Sequence, residues 1–174
     1  MRYLAAIILA LVVSACSSLR VETDYDPDAD LASLKHFTII HKIVEGEDTL
    51  TTDRIVAALR DELTHKGYIE TGREKADLYI LFHTGVTSKT RIDTDYQYLG
   101  MYPYSYGYQM LVVPQTRTYT YEEAKLIVDA VVPGKNKIVW RGTAVDYLKK
   151  MKTPQERTAY INRVVKELLR RFPK

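Results

Sequence analysis

Along residues 77–92, Leu78, Ile80, Phe82, Thr84 and Val86 alternate with Tyr79, Leu81 and His83. A period of two with apolar residues on both faces predicts a long central strand, partly covered on each side. Gly85 within it suggests a bulge or a close backbone approach. Further strands are expected over 35–44, from Phe37, Ile39, Ile40 and Ile43, over 112–121, over 125–132 and over 138–147 through Trp140. Pro133-Gly134-Lys135-Asn136 reads as the turn between the last two. The period changes to helical at Ile55, Leu59 and Leu63, with Thr51 or Thr52 as the cap and Lys66-Gly67 as the stop. A second helix shows Thr153 as cap, Pro154 in its first turn, Glu156 for a capping box, and an apolar stripe of Ile161, Val164, Val165, Leu168, Leu169 and Phe172. Strands joined by short reversals, with two one-sided helices, predict an α+β fold. The architecture expected is a two-layer sandwich, a mainly antiparallel sheet with two helices packed on one face.

The amino end follows a different pattern. Arg2 precedes an apolar run from Leu4 to Val13, and Ser14-Ala15-Cys16 follows. Ten apolar residues are too few to span a bilayer helically and suit a signal peptide. Val13-Ser14-Ala15-Cys16 resembles the bacterial lipobox, in which signal peptidase II recognises Val13, Ser14 and Ala15 and cleaves before the cysteine. Cys16 is then the lipidation site, expected to carry diacylglycerol and an N-acyl chain such as palmitate. Two or three chains give stable anchoring where one gives only marginal binding. Serine at position 17, where aspartate marks inner-membrane retention, favours the periplasmic face of the outer membrane. The domain reading is a signal peptide over 1–15, a lipidated acidic tether over 16–30 and one domain over 31–174 with a tyrosine-rich loop over 94–110.

Composition then restricts the chemistry. The chain has 174 residues, a single cysteine and a formal charge of +3. One cysteine excludes an intrachain disulfide and multi-thiolate zinc sites, and so small a charge gives no argument for nucleic acid. Basic residues gather over 149–174, where nine face two acidic ones, which suits a solvated helix face or an approach to anionic lipid. Asp24-Tyr25-Asp26-Pro27-Asp28-Ala29-Asp30 places acids on alternate positions, but lacks the glycine and glutamate of an EF-hand loop. His36, His41, His65 and His83 follow no metal-ligand spacing, so no metal or cofactor is expected. There is neither a nucleophile elbow nor a P-loop. The expectation is a non-catalytic binding or scaffolding module. The alternatives are a periplasmic hydrolase or glycan-active enzyme using carboxylates such as Glu122 or Asp129, and a protein handling lipid or lipopolysaccharide.

Six of the fourteen tyrosines lie between 96 and 108, among glycine, proline and serine. Their spacing of two would put Tyr102, Tyr104, Tyr106 and Tyr108 along one side of an extended ribbon. Tyrosine combines an apolar ring with a polar tip, so these four are the candidate partner-binding residues, facing an envelope protein or a glycan.

The order of the pieces resembles the DUF4136 family of bacterial lipoproteins. Asp24-Tyr25-Asp26-Pro27 with Asp30-Leu31 and Phe37 is similar to its opening, and Asp53-Arg54-Ile55 through Lys66-Gly67-Tyr68 to its first helix. Ala76-Asp77-Leu78 with His83 resembles the long strand. Leu126-Ile127-Val128-Asp129 and Ile138-Val139-Trp140-Arg141-Gly142 resemble the closing hairpin. The resemblance implies an envelope lipoprotein held to the membrane by its lipid anchor, and supplies no catalytic residues.

Overall fold

The structure is a computed structural model that describes residues 18–31, 33–104, 107–135 and 137–173. In chain order the elements are β1 (Arg20–Tyr25), β2 (His36–Ile40), α1 (Thr49–His65), β3 (Ile69–Glu70), β4 (Leu78–Tyr104), β5 (Gly107–Val132), β6 (Lys137–Tyr147) and α2 (Pro154–Leu169). The strands form one open sheet in the order β1-β6-β5-β4-β2-β3. Pairings from β1 through β4 are antiparallel, whereas β2 runs parallel to β4 and to β3. Parallel neighbours need a crossover, and α1 supplies it between β2 and β4.

One face of this sheet carries the core. Leu78, Ile80 and Phe82 on β4, Leu126, Val128 and Ala130 on β5, and Trp140 and Ala144 on β6 are buried together with Ile55, Leu59 and Leu63 of α1 and Val164, Val165, Leu168 and Leu169 of α2. Both helices therefore cover the same side, as the one-sided stripes require. Each fully buried leucine contributes roughly 1.5–3 kcal/mol from burial. Phe172, just past α2, closes the layer edge-on to Trp140 at 4.8 Å.

Local signals account for the helix ends. Gly67 adopts φ +92°, its N–H donates to the Thr64 carbonyl and that of Tyr68 to Leu63, which is a Schellman stop. Thr153 Oγ1 accepts from the Glu156 N–H at 3.1 Å, and the Glu156 carboxylate reaches back to the Lys152 N–H at 2.8 Å. The cap of α1 is Asp48, not Thr51 or Thr52. Its carboxylate accepts from the Thr51 N–H and hydroxyl, and being an acceptor-only charged group it outcompetes threonine there.

Three other expectations change. The supposed acidic tether contains β1, an edge strand in register from Arg20↔Val145 to Tyr25↔Trp140. Asp26 at its end pairs with Lys137 and accepts from the Asp28 N–H. Gly85 sits in regular register opposite Lys125, and the irregularities fall instead between Tyr98 and Gly100 and between Ala130 and Val131. The largest change concerns 94–110. This segment is the far end of a two-stranded ribbon, with β4 of 27 residues and β5 of 26 paired from Tyr79↔Val131 to Tyr104↔Gly107.

Candidate functional site

The hairpin leaves the body where its neighbours stop. β2 ends opposite Leu81, β6 ends opposite Glu123, and the Leu148 N–H donates the last body contact to the Glu122 carbonyl at 2.8 Å. From Lys89 to Tyr104 the ribbon continues for roughly 50 Å at about 3.3 Å per residue. Its two faces differ sharply. On the face continuous with the helix side lie the pairs Thr90/Thr120, Ile92/Thr118, Thr94/Thr116, Tyr96/Pro114 and Tyr98/Val112. None is charged and all are exposed, Tyr96 by 75% and Ile92 by 65%. The opposite face holds Lys89, Arg91, Asp93, Asp95 and Arg117, with an Arg91–Asp93 ion pair at 2.7 Å and Gln115 donating to Gln97 at 2.6 Å.

At the root of the hairpin, on the helix side, lies a crevice of about 840 Å³. Its floor is the sheet strip of Thr84, Val86, Ala124, Leu126 and Ala144, and its walls are the first turns of α1 and α2 with the segment 148–151. Asp146 is buried beside it and accepts from the Tyr160 hydroxyl at 3.0 Å, the Tyr147 N–H at 2.9 Å and the Ser18 hydroxyl. Burial, with the Asp146 charge second, pushes the Tyr160 hydroxyl up to about 12, so it stays a proton donor to that carboxylate. Lys125, Lys149, Lys150 and Arg157 line the same crevice.

Across the α1 end, Glu47 accepts from the Thr52 hydroxyl, the Val44 N–H at 3.1 Å and His41 Nε2 at 2.6 Å. The Thr52 bond, then Val44, holds its carboxyl below the usual range. The His41 ring stacks on Phe82 at 4.4 Å, fastening the 41–48 segment to the sheet. His36 instead meets Asp77 at 2.8 Å. Among the described residues no group of three histidine, cysteine or acidic side chains is placed to hold a metal ion.

Of the sequence-derived site residues, Val13, Ser14, Ala15 and Cys16 lie outside the described residues, as does Tyr106. The other three tyrosines do not share a strand. Tyr102 and Tyr104 end β4, whereas Tyr108 lies on β5 opposite Pro103. Glu122 and Asp129 are seven residues apart on β5 with regular register between them, so they occupy opposite faces. Asp129 is held bidentately by Arg141 at 2.6 and 2.8 Å. Sequence reasoning missed the crevice, which three distant segments build. It also missed the two-faced ribbon, although the alternation of Thr90, Ile92 and Thr94 with Lys89, Arg91 and Asp93 was there to read.

A mixed open sheet, two helices on one face and a long central hairpin define an α+β sandwich with a projecting ribbon. The profile of the DUF4136 family, a domain of unknown function, matches residues 21–174, and the chain belongs to that family. It is similar to a DUF4136 family protein from Bacteroides thetaiotaomicron at 20% identity and TM-score 0.50, over 89% of this chain and 96% of that one. It is also similar to a PDZ domain protein from Parabacteroides distasonis at 18% identity and TM-score 0.53, over 97% of this chain. The chain spans 40% of the length of that protein. PelC from Paraburkholderia phytofirmans, solved as a dodecamer, aligns at 10% identity and TM-score 0.45 over 87% of this chain and 94% of PelC. No curated protein matches the chain.

Proposed function

We propose that this protein is a lipoprotein acylated on Cys16, held at the periplasmic face of the outer membrane, whose domain is a non-catalytic binding or scaffolding module of the envelope. The observation that supports the reading is the exposed hairpin, a large uncharged ribbon face left uncovered by the protein's own helices. Five of its ten side chains, Ile92, Tyr96, Tyr98, Val112 and Pro114, are apolar or aromatic and exposed, and an exposed patch of that kind marks an interaction surface. The test of the anchor is labelling of growing cells with an alkyne fatty acid. The wild-type protein should take up label, and Cys16→Ser should lose it. Label retained by Cys16→Ser overturns the anchor.

A second reading, handling of a lipid or lipopolysaccharide, is supported by the crevice, whose floor is largely apolar and whose lining includes four basic residues. Ala124→Trp would fill the floor with an indole. It should weaken binding of the fluorescent fatty acid cis-parinaric acid at least tenfold without lowering the melting temperature. Equal binding by the variant removes this reading.

A further inference from the structure

Hydrogen bonding along the hairpin is incomplete in one specific way. Beyond Leu81 the outer edge of β4 has no neighbouring strand among the described residues, and beyond Glu123 neither has that of β5. A two-stranded ribbon standing alone in water is marginal, and one with apolar side chains on an open face more so. The spacing of its chemistry points to an environment that would complete it. The uncharged face runs over nine residues on each strand, Thr90 to Tyr98 and Val112 to Thr120, and a strand crosses the hydrocarbon of a bilayer in about 9–11 residues. From Tyr96 to Thr116, around the tip, the chain has no acidic or basic residue at all, so nothing charged needs to cross. Six tyrosines in that distal stretch, positions 96 to 108, supply the residue type that populates membrane interfaces.

Position adds an independent argument. β1 runs so that its start lies at the hairpin root, with Arg20 bonded to Glu123 at 2.9 Å. Cys16 is four residues before Arg20, a reach of at most about 14 Å. An acyl anchor on Cys16 therefore brings the bilayer to the root of the ribbon. There Lys149, Lys150 and Arg157 suit anionic headgroups.

We propose that the β4–β5 hairpin is the membrane-spanning stem of an oligomer of this chain. Copies pair the β4 edge of one hairpin with the β5 edge of the next, and the closed barrel turns its uncharged face to lipid and its charged face to the lumen. Closure is what the bilayer demands, because an unpaired strand edge has no water to bond there. The inference goes beyond the anchored reading and takes from it only the placement of the bilayer at the root.

The experiment uses the full-length protein reconstituted into phosphatidylethanolamine–phosphatidylglycerol vesicles loaded with calcein. Cysteines introduced one at a time over positions 90–95 are labelled with the environment-sensitive dye NBD, with the parent protein as the control for labelling at Cys16. Quenching by acyl-chain spin-labelled lipid should alternate. It should be at least twofold stronger at Thr90→Cys, Ile92→Cys and Thr94→Cys than at Arg91→Cys, Asp93→Cys and Asp95→Cys. Calcein should escape, and native mass spectrometry should find one discrete oligomer. Ile92→Asp combined with Thr116→Asp should reduce release at least tenfold with an unchanged melting temperature, while Gln97→Lys on the lumen face keeps it. Quenching without alternation, a monomer on the vesicles, or intact vesicles would each overturn the stem. The intact mass reports Cys16 separately. An unmodified cysteine together with alternating quenching overturns the anchor and supports the stem.

Discussion

Trp140→Ala should lower the unfolding free energy by about 3–5 kcal/mol, read from urea denaturation followed by circular dichroism. Against a typical total of about 5–15 kcal/mol, that removes a large fraction of the stability. Trp140 is 1% exposed in the middle of β6, edge-on to Phe172. Its neighbour on the same face is Gly142, and this glycine is required for space, not for backbone freedom. A Cβ built there would come 2.4 Å from the far edge of the indole and 2.9 Å from Leu168 Cδ1. Gly142→Ala should therefore cost about 1–3 kcal/mol by overpacking. Trp140 Nε1 is buried with no hydrogen-bond partner among the described residues, so Trp140→Phe forfeits packing but no hydrogen bond. It also removes the ring atoms that the new methyl would strike. The double variant Trp140→Phe/Gly142→Ala should be at least about 1 kcal/mol more stable than the two single costs imply. Strict additivity would mean that the indole does not set the size limit at Gly142.

The features that were legible in the sequence are those written locally. The Schellman stop at Gly67 and the Thr153 cap depend on residues within a few positions of one another, and the 78–86 alternation is carried by the strand itself. The hairpin was misread because its chemistry mimics a loop. Gly100, Pro103, Gly107 and Pro114 are punctuation in most contexts, and proline is excluded from central strands. Here both prolines lie within paired strands, Pro103 opposite Tyr108 and Pro114 opposite Tyr96. Gly100, at φ +132° beside the register shift, sits where an irregular backbone conformation is needed. Glu122-Glu123-Ala124 reads in sequence as a break between two strands because it lacks apolar alternation, yet cross-strand pairing runs straight through it to Ser88, Thr87 and Val86. The Asp146 cluster was beyond sequence reasoning altogether. Its partners Ser18 and Tyr160 stand 128 and 14 residues away, and only the completed sheet brings them together.

Excising residues 90–120 and joining Lys89 to Tyr121 through Asn-Gly should leave the body folded, with a melting temperature within about 5 °C of the parent. The junction residues are already paired across the ribbon, and Asn-Gly supplies the two-residue turn whose twist matches such strands. The body has little to lose. Among the residues whose side chains are described, every buried core side chain lies at or before Phe82 or at or after Leu126, and none from 83 to 125 is buried. The shortened strands still reach Ser88 and Glu122, so the crevice floor and the Leu148–Glu122 bond are preserved. The consequences for the membrane should be total where those for stability are slight. The excised protein should take up fatty acid on Cys16 as before, yet release no calcein and form no oligomer. A cooperative melt lost on excision would show that the ribbon holds up the fold. Retained calcein release would place the membrane activity in the body. Between these outcomes lies the division of labour that the burial pattern implies, in which the sandwich is stable by itself and the hairpin gains its stability from what surrounds it.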